Sequence, residues 1–261
     1  IFVKGQLRPQ TGYGPLRAVL RFLTDCGALV GCRFAPAPGL CYNKCVLSGK
    51  ERLYFMKVLL INGSPHEKGC TYTALSLVAE ELNTAGIDTE ILHVGGQPGG
   101  GCIGCGGCAA GNGCAFGGVV NEAIEKAKTA DGFVFGSPVH YASAAGNMAS
   151  FMDRLAYAGG KHLAYKPAAI CASARRAGTT ATLDQLAKYP EFFHMPLVSG
   201  SYWPMVHGSN PEQVLRDEEG CAVMRELGRN MAWLLHCIQA GRDAGFEHPQ
   251  NPPRPRTGFI R

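Results

Sequence analysis

The sequence predicts an α/β fold: a doubly wound sheet of five parallel strands with helices on both faces. Two observations carry this. From Met56 onward, short apolar runs alternate with amphipathic stretches, the pattern of strand, helix and strand in a parallel sheet. All five candidate strands are short and apolar, with a helix between each consecutive pair and one after the last. Such a sheet takes its ligand beyond the carboxyl ends of the strands, at the topological switch point.

The elements follow in order. "KVLLING" is the first strand. "TALSLVAEELNTAG" is a helix, with Leu75, Val78 and Leu82 at helical spacing and Gly86 as its stop. "DTEILHV" is the second strand, and a long Gly/Cys loop follows it. "VVNEAIEKAKTA" reads as a helix, "GFVFGSP" as the third strand, "AAGNMASFMDRLAYAG" as a helix and "PAAICASA" as the fourth, buried strand. "TTATLDQLAKY" and "MPLVSGSYW" supply one more helix and the fifth strand. The last long helix lies near 212–240, where Val223, Met224, Leu227, Met231, Leu234, Leu235 and Ile238 form a stripe. Residues 241–261 are Pro-rich and basic, a tail expected to trail along the surface.

With 261 residues, 46% of them hydrophobic, the chain can bury one sizeable core. The net charge of +5 does not signal nucleic-acid binding. Residues 1–55 hold eight Lys/Arg against two acids, so the remainder, near −1, is almost neutral. Those 55 residues lack periodicity and stop just before "MKVLLINGSP". They read as a disordered leader or translated upstream sequence, with Met56 as a native start. Their Cys26, Cys32, Cys41 and Cys45 lack the paired knuckles of a zinc site. The twelve cysteines cluster instead of spreading evenly, and no signal peptide with a clean apolar core precedes them. A reducing cytoplasm fits this usage. No apolar run approaches the roughly 18 to 20 residues that span a bilayer. No membrane association is expected.

Three loops leave the predicted carboxyl edge. In "NGSPHEKGCTYTA", the chain passes through Gly63 into small and hydroxyl residues before a helix, an arrangement that offers N–H groups and hydroxyls to an anion. Ser64, Thr71 and Thr73 are candidates to hold a phosphate; an ordinary turn capped by Thr71 is the alternative. The spacing is neither that of a P-loop nor of a dinucleotide fingerprint. In "GSPVHYASAAGN", Pro138 fixes the exit from the sheet, and small residues allow a flat ring to approach the main chain. His140 and Tyr141 could flank that ring, or be a loop histidine and a partly buried aromatic. In "SARRAGTTATL", Arg175 and Arg176 could stabilise negative charge on a cofactor.

"MKVLLINGSP…GCT", "CIGCGGC…GC", "ADGFVFGSPVHYAS…FMDRL" and "SARRAGTTATLDQL" together resemble the flavodoxin-like NADPH-dependent FMN reductase family, specifically its iron-sulfur flavoprotein-like branch. The resemblance covers residues 56–240, the expected FMN-binding domain. It implies that Ser64, His66, Cys70, Thr71, Tyr72 and Thr73 form the FMN phosphate loop. It implies that Ser137, Pro138, Val139, His140, Tyr141 and Ala142 contact the isoalloxazine, and that Ser173, Arg175, Arg176 and Gly178 lie near its pyrimidine side. His66 and Cys70 stand where relatives often carry Arg and Asn. A dimer or tetramer is also implied, with Met148, Phe151, Met152 and Leu155 either a contact stripe or a face toward their own sheet.

The cysteine loop, C-x2-C-x2-C-x5-C over Cys102, Cys105, Cys108 and Cys114, is similar to the compact cluster motif of the iron-sulfur flavoproteins. Gly-rich intervals let four thiolates surround a four-iron, four-sulfur cluster. A cluster-free loop, a zinc site and a redox disulfide remain open readings of the same spacing. Cys70, Cys171, Cys221 and Cys237 lie on apolar stretches and read as small core residues. The expected activity is a cytoplasmic FMN-dependent oxidoreductase taking hydride from NAD(P)H and reducing a quinone, a flavin or a redox-protein acceptor. The alternative is a flavodoxin-like electron carrier.

Overall fold

A computed structural model describes residues 55–258, apart from Arg254 and Arg256. The expected leader, with Cys26, Cys32, Cys41 and Cys45, lies outside the described residues but for Phe55. Strand β1 (Lys57–Asn62) pairs in parallel with β2 (Asp88–His93) on one side and β3 (Gly132–His140) on the other. Strand β3 pairs with β5 (Ala168–Ala174), and β5 pairs with β6 (Met205–His207). The order β2-β1-β3-β5-β6 is the doubly wound arrangement with its switch point between β1 and β3. A short strand β4 (Ser143–Ala144) turns back antiparallel onto the end of β3.

Both faces of the sheet are covered, which explains the continuous apolar runs. Leu59, Ile61, Phe133, Phe135 and Ile170 share one core with α2 (Val119–Thr129), α3 (Gly146–Gly159) and α4 (Thr179–Phe192). Val58, Leu60, Val134, Ala169 and Cys171 share the other with α1 (Cys70–Thr84) and α6 (Glu218–Asp243). Each fully buried Leu, Ile or Phe contributes roughly 1.5 to 3 kcal/mol through removal from water. Gly228 lets α6 approach α1 closely, because a Cβ there would meet the Val78 carbonyl oxygen at 2.8 Å.

Three expectations need correction. The fifth strand lies at 205–207, after the expected "MPLVSGSYW". That segment pairs with β5 only through the isolated bridge Leu197 to Ala168. Between the two pairings the chain bulges away, and α6 satisfies the freed backbone. Glu226 accepts from the Ser201 N–H at 2.9 Å, and Asn230 donates to the Ser199 carbonyl oxygen at 2.8 Å. The last helix is divided, because Asn210 caps a single turn α5 (Pro211–Val214) and Asp217 caps α6 anew. The tail lies exposed, and His248 stacks on Tyr165 at 4.4 Å while Asn251 donates to the Tyr165 hydroxyl at 2.6 Å. Of the four expected core cysteines, Cys171 is fully buried, with burial pushing its thiol up to about 12. Cys70 and Cys221 are half-buried, and Cys237 is exposed on the outer face of α6.

The stripe Met148, Phe151, Met152 and Leu155 is buried against the chain's own sheet. It therefore offers no face to a neighbour. Among the described residues, no helix is long and apolar enough to cross a membrane.

Candidate functional site

The carboxyl edge of the sheet brings the three expected loops together and ties them to one another. Asn62, fully buried at the end of β1, organises the first. Its Nδ2 donates to the Glu67 carbonyl oxygen at 2.8 Å, and its Oδ1 accepts from the Ser64 N–H at 3.1 Å. The Ser64 hydroxyl in turn accepts from the His66 N–H at 3.1 Å. The Gly63 N–H donates to the Gly136 carbonyl oxygen at 2.9 Å, clamping the loop to β3. A Cβ at Gly63 would lie 2.6 Å from the Met148 sulfur, so only glycine fits against α3.

Helix α1 opens from Gly69 without a side-chain cap and without an acid in its first turn. Its positive end and first N–H groups therefore face the loop uncompensated. This is an observation of the chain that fits a phosphate group. Thr71 is not the cap. It is buried in the first turn of the helix, and its hydroxyl lies 2.8 Å from the Ser173 hydroxyl near the end of β5. Thr73 donates back to the Gly69 carbonyl oxygen at 3.2 Å. Cys70 donates its S–H to the Gly208 carbonyl oxygen at 3.5 Å; burial pushes its thiol up. Tyr72 is half-buried and His66 exposed.

The second loop is a tight hairpin, not an open loop. Val139 pairs with Ala144 and His140 with Ser143, leaving Tyr141 and Ala142 at the tip with φ of 52° and 59°. Such tips favour Asn and Gly, so a Tyr-Ala tip stores strain of the kind found at ligand sites. The Tyr141 ring is fully exposed above it. Gln185 holds the hairpin base, its Oε1 accepting from the Ser143 hydroxyl at 2.7 Å and the Ala144 N–H at 2.9 Å. Ser137, at the β3 exit before Pro138, accepts from the Ala145 N–H at 3.0 Å. Gly178, at φ 94°, lies against the hairpin; a Cβ there would sit 2.7 Å from the Ala142 Cα. Arg175 and Arg176 are exposed beside it.

The cysteine loop occupies a second place, along α3. Gly104, Gly106, Gly111, Gly113, Gly117 and Gly118 all take left-handed φ, a conformation glycine adopts without steric cost. Their turns bring Cys102, Cys105, Cys108 and Cys114 to the wall of one cavity of about 140 Å³. Asn121 grips Cys114 from both sides, accepting from its N–H at 2.7 Å and donating to its carbonyl oxygen at 3.0 Å. Arg154 donates from Nε to the Cys114 Sγ at 3.3 Å and from Nη2 to the Gly117 carbonyl oxygen at 2.9 Å. Partial burial opposes ionisation of Cys114, but Arg154 and the N–H groups of Phe116 and Gly117 outweigh it and hold the thiol below its ordinary range. Among the described residues, no three His, Cys, Asp or Glu side chains converge closely enough to hold a single metal ion. A cubane cluster takes one thiolate per iron around its body, which four thiols walling one cavity fit.

Residues 56–210 match the model of the NADPH-dependent FMN reductases. The chain belongs to that family. It is thus an FMN-dependent oxidoreductase of flavodoxin-like α/β fold. An iron-sulfur flavoprotein of Methanocaldococcus jannaschii is 30% identical over 197 residues, which cover 70% of this chain and 100% of that one. Two solved structures share the fold. RosB with a bound 8-demethyl-8-formylriboflavin-5'-phosphate intermediate has a TM-score of 0.54 at 14% identity, covering 79% of this chain and 94% of RosB. A WrbA-like flavodoxin from Agrobacterium tumefaciens has a TM-score of 0.51 at 14% identity, covering 70% and 99%.

In this FMN reductase family member, the residues that sequence reasoning passed over are those that brace the site. Asn62 was legible only as a polar residue closing an apolar strand. Arg154 stands inside "FMDRL", between residues of the buried stripe. His93 ends β2 and Gly95 lies just after it, outside the three loops. His93 Nε2 donates to the Ser64 carbonyl oxygen at 2.7 Å, and a Cβ at Gly95 would press to 2.5 Å from the Gly63 carbonyl oxygen. Nothing in spacing marks them.

Proposed function

We propose that this protein takes hydride from NAD(P)H onto FMN and passes the electrons to a small acceptor such as a quinone or free flavin, or to a redox protein. The observation that carries this reading is the cross-tied carboxyl edge, where three loops meet around the uncapped start of α1. Bound FMN supplies the hydride and single-electron chemistry. The chain's own residues do the rest. The first turn of α1 and the Ser64–Thr73 loop take the phosphate, with Thr71 serving through its bond to Ser173. The strained Tyr141–Ala142 tip presents an aromatic platform for the ring system. Arg175 or Arg176 supplies positive charge on the pyrimidine side.

The second cofactor we propose is a four-iron, four-sulfur cluster on Cys102, Cys105, Cys108 and Cys114. The cysteine-walled cavity supports it. Helix α3 links the two places: Asn147 donates to the Gly95 carbonyl oxygen at 3.0 Å beside the phosphate loop, and Arg154 reaches Cys114. They lie seven positions apart along the helix, about 10 Å of rise. All eight described cysteines are free thiols, in keeping with a reducing, cytoplasmic setting. The proposed assembly is a homodimer or homotetramer in which a neighbour covers the exposed Tyr141; a monomer of full activity by light scattering would reject it.

The test is spectroscopic. Protein purified without oxygen should show flavin bands, and NADPH or NADH should bleach them within turnover times in stopped-flow mixing. A flavin that neither nicotinamide bleaches would make the protein an electron carrier instead. Acid extraction should release FMN; recovery of FAD alone would reject the phosphate-loop assignment.

A further inference from the structure

Among the described residues, Arg154 is the one cationic side chain lining the cysteine cavity. Besides the thiols and Tyr157, the rest of the wall is glycine and apolar groups such as Ile103, Phe116 and Ala158. Two nitrogens of the guanidinium are committed, Nε to the Cys114 sulfur and Nη2 to the Gly117 carbonyl oxygen. No carboxylate among the described residues pairs with it. Its neighbour Asp153 points away and accepts from the Tyr189 hydroxyl at 2.7 Å. The four thiols are therefore not equivalent. Cys108 faces a carbonyl oxygen, that of Tyr157 at 3.8 Å, whereas Cys114 faces a fixed positive charge.

We propose that Arg154 is a positioning residue that raises the reduction potential of the cluster through its charged hydrogen bond to the Cys114 sulfur. This rests on the reading of the loop as a cluster site. Reduction adds one electron, and so one negative charge, without making or breaking a bond. A cation donating an N–H to a ligating sulfur stabilises that added charge, and hydrogen bonds to the sulfurs are a recognised lever on cluster potential. Arg154 and Cys114 are both half-buried, so the field between them is less screened than in water. The anchor on Gly117 keeps the guanidinium in place in both redox states.

The experiment compares the full chain with R154K, R154Q and R154M after anaerobic reconstitution with iron and sulfide. Iron per chain, bound FMN and the midpoint potential from a dithionite titration followed by electron paramagnetic resonance are the readouts. All four proteins should hold about four irons, as one cubane site per chain requires. The R154Q and R154M potentials should fall below the parent's, and R154K, which keeps the charge, should lie between. Equal potentials in the parent, R154Q and R154M overturn the proposal. Loss of iron in R154Q and R154M alike, with FMN retained, overturns it too, since Arg154 would then be a scaffold for the loop. A reconstituted parent with less than one iron overturns the cluster reading itself, a result the variants' potentials cannot mimic.

Discussion

The phosphate loop and the cysteine loop are both rich in glycine, yet they use it in opposite ways. Around the phosphate loop, Gly63 and Gly95 are glycines because neighbouring atoms leave no room for a Cβ. In the cysteine loop, Gly104, Gly106, Gly117 and Gly118 have left-handed φ with nothing within 4 Å of a Cβ position. One loop is locked by packing and the other is steered mainly by backbone conformation, with packing added at Gly107, where a Cβ would meet Ala115 at 2.9 Å, and at Gly113, where it would meet Asn121 at 2.8 Å. The difference teaches where the fold is vulnerable. Damage to the packed loop should propagate into the sheet, whereas damage to the steered loop should stay local.

The sharpest attempt to break this comparison is Gly95→Ala. The added methyl would press on the Gly63 and Ser64 carbonyl groups, which belong to a backbone already clamped by Asn62 and Gly136. Overpacking against backbone that cannot retreat should cost about 3 kcal/mol. Thermal unfolding should drop accordingly, and the purified protein should lose its flavin. Gly106→Ala, though strained at φ 72°, should cost only about 1 kcal/mol, because no atoms oppose it.

Asn62→Ala comes next. It removes a buried side chain that satisfies the Glu67 carbonyl oxygen and the Ser64 N–H, a loss of about 2 kcal/mol. Expressed in FMN affinity, that is roughly a thirtyfold rise in Kd. Fluorescence titration of apoprotein with FMN reads it directly; an unchanged Kd would mean that the loop keeps its shape without Asn62.

How much of this was legible in the sequence follows from the same contrast. Strand and helix periodicity gave β1, β2, β3, β5 and four of the long helices nearly to their ends, because both sheet faces are apolar and each helix has a clear stripe. The fifth strand was misplaced by "MPLVSGSYW", since its apolar residues serve a bulge whose polar backbone is satisfied by Glu226 and Asn230, far away in sequence. The site loops were legible as positions, but the roles within them were not. Thr71 looks like a surface phosphate ligand in sequence, and only the fold brings Ser173 to its hydroxyl across 102 positions. Arg154 is hidden for the same reason, as its partner lies 40 residues away.

Thr71→Val sharpens the comparison on a smaller scale. It should destabilise the protein by about 1 kcal/mol by leaving the buried Ser173 hydroxyl without its partner. Because the two hydroxyls satisfy one another, the double variant with Ser173→Ala should cost less than the sum of the singles, with a coupling near 1 kcal/mol. Strict additivity by chemical denaturation would show that Thr71 instead spends its hydroxyl on the phosphate.

The smallest expected effect on the fold is that of Cys105→Ala. Cys105 is exposed, its thiol bonds to nothing in the described chain, and no core residue packs on it. Surface substitutions of this kind stay within about 0.5 kcal/mol, so the unfolding midpoint and the FMN Kd should match the parent's. Iron is where the change should appear. With one of four thiolates missing, anaerobic reconstitution should leave well under the parent's iron, and absorption near roughly 400 nm beyond the flavin should vanish, since that band arises from thiolate ligation of iron. If Cys105→Ala instead released FMN, the two loops would be one mechanical unit and the separation drawn between packed and steered glycines would fail. If it changed neither iron nor flavin, and a variant lacking all four cysteines reduced its acceptor at the parent's rate, the cysteine-walled cavity would be a structural feature of a plain flavin reductase.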